Sequence, residues 1–132
     1  MDFNISEDLQ TMLDMVNEFV DKELIPLEPE FLNTPFRDLV PVLEEKRLMV
    51  KQMELWGPIY PKEYGGMGLK LTESALMYEA FGRTPIGLYA FGCQAPDAGN
   101  AEIIHMFGTE EQKVAYLRPL IDGKIRSCFS MT

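Results

Sequence analysis

A chain of 132 residues, 46% apolar and 25% charged, suits one folded domain and has neither repeats nor low-complexity tracts. Twelve basic against twenty-one acidic residues leave a net charge of -9, the opposite of the clustered cations that a nucleic-acid backbone demands. No apolar run reaches the roughly 20 residues needed to cross a bilayer, and "MDFNISEDLQ" lacks the charged and apolar regions of a secretory signal.

Ser6 is placed to cap a first helix whose opening turn carries Glu7 and Asp8, the charge sign the helix dipole prefers there. Leu9, Met12, Leu13, Val16, Phe19 and Val20 then recur at helical spacing, while Asp14, Asn17, Glu18 and Asp21 form the opposite face. Pro26 should kink or interrupt this helix, because it has no N–H and its ring crowds the preceding turn. After "NTPF" a second helix is expected from Phe36 to Leu55. The stretch Trp56 to Leu69, "WGPIYPKEYGGMGL", is too rich in glycine and proline for regular structure and suits an ordered loop with several positive-φ positions.

A third helix should begin near Thr72, with Glu73 in its first turn, followed by the short apolar segment "PIGLYAFGCQ". Asp97 or Asn100 then offers a cap for a short helix ending near Gly108. The last helix has the clearest punctuation. Thr109 and Gln112 have capping-box spacing, Val114, Leu117, Leu120 and Ile121 make an apolar stripe, Pro119 should bend the final turns, and Gly123 should end them. Beyond it, Ile125, Phe129 and Met131 mark a partly alternating extended segment. The expected fold class is therefore all-α, an up-down bundle of about five to six helices with a short C-terminal strand. Residues 1–123 form the helical domain, and 124–132 the strand, which has no partner in the chain.

The glycine-rich loop matches neither a P-loop nor a dinucleotide fingerprint. His105 stands on an apolar helix without a Ser, Cys or carboxylate at suggestive spacing, which fits a structural histidine. One histidine and two cysteines, Cys93 and Cys128, without CxxC spacing cannot make a zinc site and give a weak disulfide signal, so a reduced compartment is expected. No catalytic constellation is visible. The stretch "FGRTPIGLYAFGCQAPDAGN" combines aromatic and small residues, which can line an apolar slot or make a crowded helix contact.

The pieces "PKEYGGMGL", "YEAFGR", "APDAGN" and "GTEEQKVAYLRPLIDGKIRSCFSMT", in this order and spacing, resemble the N-terminal part of the acyl-CoA dehydrogenases, and the resemblance covers the whole chain. The "APDAGN" form is most similar to the long-chain-type subgroup related to the eukaryotic family members ten and eleven. Such enzymes are several times longer, with a helical domain, a β-barrel domain and a C-terminal helical bundle. They hold FAD between domains, assemble as homodimers or homotetramers, convert an acyl-CoA to a trans-2-enoyl-CoA, and pass electrons to an electron-transfer flavoprotein.

The resemblance implies that residues 124–132 open the middle domain and that the chain is an excised N-terminal domain, inactive alone. It implies flavin contacts at Phe129, Met131 and Thr132, and an acyl-cavity wall at Phe91, Gly92, Ala95 and Gly99. It assigns the catalytic carboxylate to the absent bundle, so none is expected here. The compartment implied is the bacterial cytoplasm, or a mitochondrial or peroxisomal matrix. Two alternatives stay open: a non-enzymatic helical domain that binds a lipid or partner, and a flavin oxidase on the same scaffold.

Overall fold

The computed structural model describes residues 4–130. Its first helix, α1, spans Glu7–Phe19, and the Ser6 hydroxyl accepts from the Leu9 N–H at 3.2 Å, as the cap reading requires. Pro26 acts as expected, by a specific route. The turn before it, Val20–Leu24, widens to π-helix, with the Ile25 N–H donating to the Val20 carbonyl. One extra residue in that turn makes room for the proline ring and absorbs its missing donor. A 3-10 turn, Ile25–Leu27, leads into α2, Glu28–Asn33.

The second expected helix is α3, Phe36–Gln52, three residues shorter than the sequence suggests. Its end is a Schellman turn: the Leu55 N–H donates to the Val50 carbonyl and the Glu54 N–H to the Lys51 carbonyl. The left-handed position of that turn is held by Glu54, at φ 59°, where glycine is the usual occupant. Pro41 lies inside α3 but only just beyond the four N–H groups that lack intrahelical partners anyway, so it forfeits a single bond.

The expected loop follows and bonds mostly to itself: Met67 N–H to the Gly57 carbonyl, Gly68 to Tyr60, and Leu69 to Pro58. Helix α4 is Leu71–Phe81, with the Glu73 carboxylate accepting from the Lys70 N–H at 2.8 Å. Helix α5 is a single turn, Gly87–Ala90, and α6 is Asp97–Phe107, ending before Gly108 as expected. Helix α7, Glu110–Gln112, carries the complete capping box of Thr109 and Gln112. A second π turn, Lys113–Leu117, precedes α8, Arg118–Ile121, and repeats the device seen at Pro26, with Pro119 in place of Pro26. Because each helical residue turns the chain by about 100°, the inserted residue rotates the stripe. Val114 is consequently 75% exposed, which corrects its place on the buried face, while Leu117, Leu120 and Ile121 are buried.

At Gly123, φ 72°, a Schellman turn closes α8, with Gly123 and Lys124 donating to the Leu120 and Pro119 carbonyls. Residues 126–130 are then non-helical, and no strand is formed among the described residues, because no second chain segment lies alongside to complete a ladder.

Counting runs joined through π and 3-10 turns as single rods gives six among the described residues, so the all-α fold class stands. Helix α1 packs on α4, α3 on α5, and α6 on the second π turn and α8. The apolar residues sort into two clusters. The larger joins Leu13, Val16, Phe19, Leu43, Val50, Met77, Phe81 and Phe91; the smaller joins Tyr60, Ala101, Leu117, Leu120 and Ile121. Trp56 ties them together, packed in the first while its indole N–H donates to the Ile121 carbonyl in the second at 2.8 Å.

Two outcomes test this architecture. Trp56→Phe keeps the apolar ring but orphans the buried Ile121 carbonyl, so a loss of about 1–3 kcal/mol is expected in urea unfolding. Glu54→Gly should raise stability by up to about 1 kcal/mol in the same titration, since it relieves a left-handed residue at a helix terminus.

Candidate functional site

The centre of polar organisation is Asp97, first residue of α6 and 3% exposed. One carboxylate oxygen, Oδ1, accepts from the Ser127 N–H and the Ser127 hydroxyl, both at 2.7 Å. The other, Oδ2, accepts from Arg126 Nε at 2.7 Å and Gln94 Nε2 at 2.6 Å. Asn100, one turn along α6, donates to the Ser127 hydroxyl at 2.9 Å. Neither Asp97 nor Asn100 caps the helix, whose N-cap position is Pro96; both side chains are turned instead onto the non-helical segment 126–130. Burial by itself would raise the Asp97 carboxyl, but the Ser127 hydroxyl and amide and the Arg126 guanidinium together hold it below the usual carboxylate range.

This arrangement brings together some of the residues singled out in the sequence. The Phe129 ring, half-exposed, lies 3.7 Å from where a Cβ on Gly99 would stand, and among the described residues no other atom beyond the local helix backbone and chain neighbours comes within 4 Å of that point. Ala95 is exposed one residue before the start of the "PDAGN" turn. Phe91 and Gly92 are elsewhere. The Phe91 ring is fully buried, stacked on Phe81 at 4.0 Å and edge-on to Phe19 at 5.7 Å. Gly92 has φ 70°, and a Cβ there would meet the Trp56 ring at 2.3 Å. These two are packed into the interior and do not share the Gly99–Phe129 face. Met131 and Thr132 lie outside the described residues.

Beside this face runs a ladder of cations and rings that sequence reading missed. The Arg47 guanidinium, 2% exposed, stands 4.9 Å from the Trp56 centroid and 4.5 Å from that of Tyr89. Lys51 covers Trp56 at 4.3 Å, and Arg126 covers Tyr89 at 5.1 Å. Arg47 Nε and Nη1 make no hydrogen bond among the described residues; Nη1 is 3.3 Å from Glu44 Oε1, close enough for ion pairing but outside hydrogen-bond geometry. The Tyr89 hydroxyl donates to the same Glu44 oxygen at 2.7 Å. A buried cation without full hydrogen bonding is costly, and here two aromatic faces supply the compensating charge density. Half-burial and the neighbouring Arg47 charge lower the Lys51 ammonium below the ordinary lysine value. The signal available in sequence was weak: Arg47 falls on the buried face of α3, but so do ordinary errors of helical phase.

A cleft of about 610 Å³ lined by Met12, Lys51, Trp56, Tyr64 and Met67 contains none of the residues expected at an acyl wall. Cys93 is buried, which pushes its thiol up to about 12, and Cys128 is exposed; both are free. His105 packs edge-on to Tyr64 at 5.7 Å, and its buried Nδ1 makes no hydrogen bond among the described residues. Among the described residues no group of three or more His, Cys, Asp or Glu could hold a metal ion, and no helix is long and apolar enough to cross a membrane.

Comparison with known proteins identifies the class of this helical domain. The profile of the acyl-CoA dehydrogenase N-terminal domain matches residues 6–124, and the chain belongs to that family. It is 35% identical over 138 residues to acyl-CoA dehydrogenase family member 10 of Mus musculus, covering 97% of this chain and 13% of that protein. Against family member 11 of Gallus gallus it is 39% identical over 131 residues, covering 93% of this chain and 16% of the relative. A solved Mycobacterium abscessus protein ascribed to the acyl-CoA dehydrogenases superimposes with a TM-score of 0.84 at 31% identity, over 93% of this chain and 33% of that one. The chain thus spans about a sixth or less of the length of these two curated relatives.

The site yields two expectations. Since the folded pKa of Asp97 is depressed, its stabilisation is present above the unfolded value near 3.9 and is lost as pH falls through the folded value. Urea midpoints measured from pH 6 downward should therefore fall more steeply in the native chain than in Asp97→Asn. Gly92→Ala combines a positive-φ position with a clash against a buried indole and should cost at least about 2 kcal/mol by the same titration.

Proposed function

We propose that this chain is the N-terminal helical domain of an FAD-dependent acyl-CoA dehydrogenase that converts an acyl-CoA thioester to a trans-2-enoyl-CoA. The observation that carries the reading is the joining of "APDAGN" to "RSCFS" through Asp97, which seats the Phe129 ring against Gly99. These two segments are the ones for which the family resemblance implies an acyl wall and a flavin edge.

The residues present fit one edge of a flavin and no more. A half-exposed aromatic ring beside an open glycine offers a flat apolar face, and Thr132 would add a hydroxyl donor. FAD, when bound, supplies the hydride acceptor. The acyl chain would run past Ala95 and Gly99, whose small side chains leave room for it. Asp97 is unsuited to act as the base that removes the α-proton, because its oxygens already accept four hydrogen bonds and its proton affinity is lowered. The base, the rest of the flavin site and the electron acceptor, an electron-transfer flavoprotein, belong outside these residues. Ile103, Met106, Phe107, Val114 and Tyr116 are exposed on α6 and the second π turn, an apolar surface suited to a neighbouring domain or subunit in a homodimer or homotetramer.

The test is to express the longest reading frame that contains this chain and record its visible spectrum. A yellow protein that bleaches on addition of an acyl-CoA is expected; a colourless folded product indifferent to acyl-CoA would overturn the reading in favour of a binding domain. In the yellow product, Ala95→Phe should cut kcat/KM for long-chain thioesters by about ten-fold or more relative to short ones. Unaltered chain-length preference would remove Ala95 from the wall.

A further inference from the structure

The geometry points to Asp97 as a positioning residue whose carboxylate, through Arg126 and Ser127, fixes the 125–130 segment on α6 and so sets the place of Phe129 relative to Gly99. What that placement controls rests on the dehydrogenase reading; the clamp itself does not.

The segment has little else to hold it. Beyond Ile125, the one backbone N–H that donates to a described residue is that of Ser127, and its acceptor is Asp97 Oδ1. Segment residues 126, 128, 129 and 130 are exposed, so apolar burial contributes little to their order. Asp97, in contrast, is fixed by its own surroundings. It sits in the first turn of an eleven-residue helix, where the dipole favours a negative charge, and Gln94 holds its second oxygen from the opposite side. Arg126 is in turn held by the Tyr89 ring, which Arg47 and Glu44 keep in place. The chain of contacts therefore runs from the buried end of α3 to the exit segment, with a carboxylate at its last step.

The chemistry of the clamp is specific to an ionised acid. With both oxygens as acceptors, Asp97 receives donors on each: Ser127 on one, Arg126 and Gln94 on the other. Asp97→Asn keeps the shape but puts an amino group where two donors converge, so either Arg126 or Ser127 loses its acceptor. The double change D97N with R126Q repairs this without charge. The glutamine Oε1 is attached to Cδ just as Nε is in arginine, and it can accept from the asparagine amino group.

The first measurement is amide exchange of Ser127 in the 132-residue chain. D97N should speed it by about ten-fold while amides of α1 and α4 keep their protection, and the double variant should restore it. Arg126→Leu, at a half-exposed side chain, gives the same readout should D97N fail to fold. Unchanged Ser127 exchange in both single variants, or equal loss of protection throughout the chain in both, would overturn the clamp.

The second measurement uses the yellow product of the full reading frame. D97N should shift the flavin absorption band and lower kcat about ten-fold or more with KM little changed, and the double variant should return both. A freed segment with an unaltered flavin band and kcat would overturn the positioning role. A colourless product with a freed segment would uphold the clamp and end the dehydrogenase reading, so the two failures are distinguishable.

Discussion

The two apolar clusters, one built on α1, α3 and α4 and the other on α6 and α8, are joined through Trp56, whose indole N–H donates to the Ile121 carbonyl. Lys51 adds a second tie beside it, donating to the Asp122 carbonyl at 2.6 Å. An indole suits the junction because its ring satisfies the larger core while its single donor reaches the end of a helix in the smaller one. Everything crowded around it follows from its size. A Cβ on Gly92 would overlap the ring, and one on Gly123 would lie 3.3 Å from it, at a position whose φ of 72° already favours glycine. The same ring offers a face to Arg47 and another contact to Lys51, so a charged side chain can enter the interior without a full set of acceptors.

The two prolines show how a local covalent fact becomes a global one. At both Pro26 and Pro119 the chain inserts a residue into the preceding turn rather than ending the helix. The rod continues, but the face it presents rotates by about 100°. In the last helix this turns Val114 outward and Leu117 inward. Proline therefore decides which residues of that rod reach the core and which extend the exposed apolar surface begun by Ile103, Met106 and Phe107.

The sequence was most informative where one residue's chemistry acts alone. Ser6 and Thr109 as caps, Gly123 as a helix stop and the self-bonded glycine loop all appear as read, because capping and positive φ are properties of single residues and their nearest neighbours. Less was legible where the result depends on residues far apart. Nothing in the α3 pattern says that Glu54, not a glycine, takes the left-handed position and ends the helix early. Asp97 resembles a cap because it is an aspartate before an apolar run, yet three of the four hydrogen bonds it accepts come from residues 29 and 30 positions ahead. Phe91 and Gly92 share a motif with Gly99, but a single turn of helix and the Trp56 ring send them to the core.

That last divergence sharpens what this domain can contribute to a site. At the Phe91 end of the stretch from Phe91 to Gly99 the interior is filled by the stacked Phe81 and Phe91 rings. What stays open is the rim, where Ala95, Gly99 and Phe129 meet solvent on a face organised by Asp97. A rim shaped by small residues, and held by charge-assisted hydrogen bonds in place of apolar burial, can be completed from outside without disturbing the core behind it. An extended segment ordinarily acquires its shape from the strand it pairs with. Here a buried carboxylate gives it that shape in advance, so a second element that docks on it meets backbone already in place and less ordering entropy remains to be overcome.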